Sequence, residues 1–202
     1  VQNAKAAAAT KPGAFVAGDI GPTGQLLQPL GTYTEDEFFA AFCEQVDALA
    51  EAGVDFFSIE TMYSLEEALL ALKAVQRTQL PAFVSLAYRV TPRGIYTMMG
   101  AEAGTAARTL EEAGAAVVGA NCEVEITTMI KVVETIKTHT TLPIIAQPNA
   151  GQPILEEGKA RYQQQPEEFA AQVPALLQAG ARIIGGCCGT SPEFIRCAVA
   201  QI

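Results

Sequence analysis

Three dipeptides set the rhythm of this chain. Ala52-Gly53, Ala113-Gly114 and Ala179-Gly180 each close a helical pattern, with the glycine as a left-handed cap, and a short apolar run follows each. Seven positions beyond each glycine stands a chemically distinctive residue: Glu60, Asn121 and Cys187. The next positions hold Thr61, Cys122 and Cys188. Strand patterns fall at 14–19, 55–60, 82–88, 116–121, 143–148 and 182–186, and helical patterns at 34–52, 64–76, 102–113, 126–138, 167–178 and 192–200. Two of these helices open on the signature of a reciprocal cap, Thr34 to Glu37 and Ser64 to Glu67. Nearly continuous apolar strands alternating with helices predict parallel strands covered by helices, with the polar residues gathered at the C-terminal strand ends. After the first strand the glycines of Gly18-Asp19-Ile20-Gly21-Pro22-Thr23-Gly24 are wrongly spaced for a dinucleotide fingerprint, and Pro22 obstructs it.

Two adjacent cysteines end the last apolar run, in Ile184-Gly185-Gly186-Cys187-Cys188-Gly189-Thr190, and Ser191-Pro192 then starts a helix. A ring closed between neighbouring cysteines is strained, which disfavours a disulfide there. Cys122 ends another strand, so three thiolates from two strand ends form a tetrahedral zinc site with one open position, the arrangement of catalytic zinc. Cys43 and Cys197 sit inside helical patterns and read as small core residues. The single histidine, His139, falls in a polar stretch and reads as a surface loop residue, which leaves no histidine for a triad.

Composition narrows the function. A net charge of −9 argues against nucleic acid and against an anionic membrane, since both call for clustered Lys and Arg. No apolar run reaches the roughly 18 residues of a membrane span. An odd number of cysteines, five, without disulfide-like spacing suits a reduced, cytoplasmic compartment. Residues 1–5 lack an initiator Met and the character of a signal peptide, and they read as the end of a helix.

These residues resemble a known family. Gly-Gly-Cys-Cys-Gly-Thr, the upstream Gly-Ala-Asn-Cys, Ile59-Glu60-Thr61-Met62 and Gln147-Pro148-Asn149-Ala150-Gly151 resemble the homocysteine S-methyltransferases. The stretch 15–24 with Pro29-Leu30-Gly31 is similar, more narrowly, to the homocysteine-binding domain of the cobalamin-dependent methionine synthase branch. The resemblance implies a (β/α)8 TIM-type barrel with zinc on Cys122, Cys187 and Cys188. It implies Glu60 as the partner of the homocysteine amino group, Asn149 as a displaceable fourth metal ligand, and Asp19 and Asn121 in the substrate pocket. Methylcobalamin, on another domain or protein, is then the methyl donor, recharged from a methyltetrahydrofolate-binding domain. No Asp-x-His-x-x-Gly of a corrinoid site occurs in this chain. Two rivals are a donor such as betaine or S-methylmethionine, and a non-catalytic zinc-binding fragment. The family's opening Asp-Gly-x-x-Gly-Thr and the Thr-Asn-Thr-Phe of its second strand are not in this sequence. The expectation is one homocysteine-binding and zinc domain over 1–202, carrying six βα units and lacking the first two of the barrel.

Overall fold

A computed structural model describes residues 1–156 and 158–202. In chain order the elements are α1 (Gln2–Ala8), β1 (Ala17–Ile20), α2 (Glu35–Glu51), β2 (Phe56–Met62), α3 (Leu65–Val75), β3 (Ala82–Leu86), β4 (Tyr88–Thr91) and β5 (Gly94–Thr97). There follow α4 (Ala103–Glu112), β6 (Val117–Glu125), α5 (Ile126–Lys137), β7 (Ile144–Asn149), β8 (Pro153–Glu156), β9 (Lys159–Tyr162), α6 (Pro166–Ala170), α7 (Val173–Ala179), β10 (Ala181–Ile184) and α8 (Pro192–Val199). Six strands make one parallel sheet in the order β1-β2-β3-β6-β7-β10. Each new strand joins the same growing edge, without the reversal of a doubly wound sheet. This single direction of winding is that of a barrel wall. Among the described residues β1 and β10 are the two edges, so the wall is open.

Register divides the sheet into two faces. On one, Ile20, Phe57, Ile59, Val84, Leu86, Val118 and Ala146 are buried beneath the helices. The other carries Asp19, Ser58, Glu60, Ser85, Asn121 and Gln147 toward the C-terminal strand ends, above the Phe56 and Phe83 rings, whose centroids lie 4.4 Å apart. Period-two alternation thus puts greasy contacts outside and chemistry inside. Strands β6 and β7 approach so closely that a Cβ on Gly119 would stand 1.9 Å from the carbonyl oxygen of Ile145. Gly119→Ala is therefore expected to destabilise the fold by about 3 kcal/mol, the upper range for overpacking a rigid core, read as a lower urea midpoint.

The local signals hold unevenly. Gly53 and Gly114 follow their helices at φ +81° and +90°. Thr34 and Glu37 form the reciprocal cap of α2. At α3 only half of the box exists: Ser64 accepts from the Glu67 N–H, while the buried Glu67 carboxylate instead takes the backbone N–H and hydroxyl of Thr23. The helix expected over 167–178 is two helices, α6 and α7, because Pro174 has no N–H for a helix interior and sits instead in the first turn of α7. Ser191 occupies the cap position of α8 without a side-chain hydrogen bond. Two hairpins, β4–β5 and β8–β9, project beyond the strand ends where the sequence pattern shows only loops. His139 is half-buried, not a free loop residue. Its Nδ1 lies 2.9 Å from the Thr135 carbonyl oxygen.

Candidate metal centre

All three expected cysteines meet at one end of the sheet. Their sulfurs lie within 4.8 Å of one another, and Cys122 Sγ is 3.7 Å from Cys188 Sγ. Cys122 arrives on β6. Cys187 and Cys188 arrive because the chain beyond β10 stays zipped to β7: Gly185 N–H donates to the Ala146 carbonyl oxygen, and Cys187 N–H to that of Pro148. Ala150 N–H returns a bond to the Cys188 carbonyl oxygen. Gly189 turns the chain away at φ +81°, against the Tyr162 ring, where a Cβ would stand 2.2 Å from the ring.

Backbone strain marks the same level of the sheet. Thr61, Cys122 and Glu123 hold φ near +60°, a region that β-branched threonine in particular avoids. The pairing register breaks at both places, between Ile59 and Met62 and between Asn121 and Glu125. These bulges re-aim the residues that follow Glu60 and Asn121. Two of the three units of the sequence repeat, at Thr61 and Cys122, thus share a backbone conformation as well.

The sulfurs share protons unequally. The Cys187 hydrogen bond, aided by the Glu123 N–H, Cys188 and Asn149, draws the Cys122 thiol down to about 5. That same bond, with burial and the neighbouring sulfur charges, pushes the Cys187 thiol up. A Cys122 thiolate beside a Cys187 thiol that holds its proton is a pair that exchanges a proton for a metal. The separation suits the exchange: sulfurs about 2.3 Å from a tetrahedral metal stand about 3.8 Å apart. Asn149 is buried, and its carboxamide oxygen accepts the Cys188 N–H at 3.1 Å. That bond uses one of the two acceptor sites of the oxygen.

Glu60 is half-buried, with the Ser58 hydroxyl 3.1 Å away. Burial first, then the charges of Asp19 and Cys122, raises its pKa, while Ser58 and Gln147 hydrogen bonds oppose the rise. Asp19 lies on the adjoining strand, exposed in the open wall but desolvated enough to raise its own pKa. Asn121 differs from its expected role at the substrate. The residue is 1% exposed and its carboxamide is bonded within the protein to Thr61, Ser85 and Cys187, so it presents no free group to a substrate. Cys43 and Cys197 stay apart, half-buried on α2 and α8.

Three neighbours escape the sequence reading. Tyr162, on β9, has its hydroxyl pushed up to about 12 by burial and then by the nearby Cys188, so it stays protonated beside the sulfurs. Arg89, on β4, pairs with Glu123 at 2.8 Å next to Cys122. Tyr63, whose pKa is raised by burial and then by the charges of Glu123, Cys122 and Cys188, lines an apolar cleft of about 500 Å³ with Leu26, Leu27, Phe38, Met98 and Met99. Two of these residues sit on hairpins without sequence signals, and Tyr63 follows the Glu60 motif without being part of it. No helix among the described residues is long and apolar enough to cross a membrane.

A strand-end cluster of three cysteines on a singly wound parallel sheet defines an α/β protein with a candidate metal site at the C-terminal strand ends. The whole chain, residues 1–202, matches the homocysteine S-methyltransferase family, and it belongs to that family. It is 30% identical over 192 residues to the methionine synthase of Mycobacterium leprae, covering 93% of this chain but 16% of that protein. It is 30% identical over 195 residues to the homocysteine S-methyltransferase YbgG of Bacillus subtilis, covering 92% of this chain and 61% of that protein. The apo structure of the homocysteine methyltransferase MmuM from Escherichia coli superposes with a TM-score of 0.78 at 25% identity, over 100% of this chain and 68% of that one.

Proposed function

We propose that Cys122, Cys187 and Cys188 hold a zinc ion, and that the chain is a single homocysteine-binding domain whose substrate thiol is methylated to methionine. The observation that carries this reading is the meeting of three sulfurs from distant strand ends beside a half-buried carboxylate. The donor set fits: three soft thiolates leave room for one further ligand. Zinc bound there supplies the Lewis acidity that lowers the pKa of a substrate thiol, ordinarily near 8.5, so that it is a nucleophile at neutral pH.

The chain's own residues do the rest. Glu60 accepts hydrogen bonds from the substrate ammonium, with Asp19 on the neighbouring strand adding negative charge to that side of the pocket. Asn149 braces Cys188 through its N–H. Tyr162 stands over the sulfurs and limits water there. The shortage of histidine is no obstacle, because methyl transfer to a sulfur already deprotonated needs no general base at that step. By similarity to the methionine synthase branch, the donor is methylcobalamin carried on a separate corrinoid domain and recharged from a methyltetrahydrofolate-binding domain. Five free cysteines suit a cytoplasmic setting.

The test uses the full-length protein. Cobalt substituted for zinc should show sulfur-to-metal charge-transfer absorption that changes when homocysteine is added, and a chelator should abolish both the spectrum and methionine formation. Parallel assays with methylcobalamin, betaine and S-methylmethionine identify the donor. Methionine formation that survives complete metal removal would sink the reading.

A further inference from the structure

We propose that Asn121 is the positioning residue that fixes how far the Glu60 carboxylate stands from the three sulfurs, and thereby selects the length of the amino thiol. The inference rests on the thiolate and ammonium roles proposed above. A carboxamide offers two donors and two acceptor sites, and Asn121 uses all four. Its oxygen accepts the Thr61 N–H and the Ser85 hydroxyl, each at 2.7 Å. Its nitrogen donates to the Thr61 hydroxyl at 2.6 Å and to Cys187 Sγ at 3.7 Å. Two of the four bonds therefore grip one residue, and that residue is strained. Thr61 sits at φ +61°, a conformation that a β-branched residue leaves unless its surroundings hold it.

Thr61 directly follows Glu60, and Asn121 directly precedes Cys122, itself at φ +60°. One buried carboxamide thus ties together the strand end bearing Glu60, the strand end bearing Cys122, and the sulfur of Cys187. If a substrate is held by sulfur at one end and ammonium at the other, the distance between the two anchors is the measure of its chain. Homocysteine and cysteine differ by one methylene, which an ordinary apolar pocket separates by only about 10- to 200-fold. A rigid spacing between two polar anchors gives a sharper selection, because the shorter molecule leaves one anchor unpaired. Without Asn121, Thr61 relaxes toward negative φ and turns the Glu60 peptide with it, while Cys187 and Cys188 keep their own backbone bonds to the end of β7.

The test is calorimetric binding to the zinc-loaded full-length protein. The ligands are homocysteine, cysteine and 4-mercaptobutanoate, which is homocysteine without its amino group. Asn121→Ala should keep stoichiometric zinc. It should weaken homocysteine about ten- to a hundredfold, toward the affinity of 4-mercaptobutanoate, whose own binding changes little. The preference for homocysteine over cysteine should collapse, and the charge-transfer band of the cobalt form should shift as Cys187 loses its donor. Should Asn121→Ala fail to fold, Ser85→Ala removes a single bond and should show the same pattern at smaller amplitude. Equal weakening of all three thiols would make Asn121 mere scaffold and overturn the proposal, as would unchanged preferences in both variants. A parent protein that binds 4-mercaptobutanoate as tightly as homocysteine would remove the ammonium reading first, a failure distinct from that of Asn121.

Discussion

Cys187→Ala is expected to strip the protein of most of its zinc after dialysis against a mild chelator, while Cys43→Ala and Cys197→Ala keep it. Three sulfurs are the whole protein contribution to the proposed site, so losing one leaves two thiolates and open solvent. Mutating residues that merely support a ligand commonly costs 10- to 100-fold in metal affinity, and removing a ligand itself costs more. Cys187 is also the sulfur that lowers the Cys122 pKa, so its loss leaves Cys122 a poorer thiolate as well. Metal per chain measured by emission spectroscopy, beside a urea titration to confirm folding, decides the matter. A folded Cys187→Ala protein with one tightly held zinc would show that the sulfurs are not the ligands.

Glu60→Gln should raise the homocysteine KM about ten- to a hundredfold with zinc content unchanged. A charge-assisted bond shielded from water contributes roughly 1.5–3 kcal/mol, and 1.4 kcal/mol is tenfold. A thiol without an amino group should be used as well by the variant as by the parent. If the variant loses metal, or loses both thiols alike, Glu60 belongs to the metal shell or the scaffold. The pH dependence has a definite sign. Because the Glu60 pKa is raised in the fold, recognition of the ammonium fades on acidification at a higher pH than for an ordinary carboxylate. The ionised side chain is disfavoured by folding, so it costs stability above its folded pKa. That cost is absent below its unfolded value, near 4.5. Glu60→Gln should therefore raise the urea midpoint at neutral pH, by an amount that shrinks as the solution is acidified.

The strands, their direction and the three cysteines were legible because each leaves a pattern in one dimension: apolar runs, capping glycines, thiols at strand ends. Legibility failed where the deciding physics is three-dimensional. The strands β4, β8 and β9 are four residues long with little burial to print an alternation, so Arg89 and Tyr162 could not be assigned to the site. Pro174 did carry a signal, the missing N–H, but the apolar period of 167–178 masks it. Ser64 and Glu67 match a reciprocal cap, yet Thr23, 44 positions away, competes for the Glu67 carboxylate and wins. Asn121 shows the same limit at the site itself. Its strand-end position suggests a substrate contact, whereas its neighbours in space consume every bond it can make.

Cys188 lies 66 positions beyond Cys122, with β7, two hairpin strands and β10 between them. No local segment can gather the sulfurs, so a metal held by them recognises the assembled sheet and nothing shorter. Such a metal discriminates native from unfolded chains. Its binding free energy adds to global stability as RT ln(1 + [L]/Kd), about 2.7 kcal/mol at a hundredfold excess over Kd. The same cluster that prepares a thiol for attack would then work as a gauge of assembly: metal starvation would silence the chemistry and at the same time lower the stability of the fold that permits it.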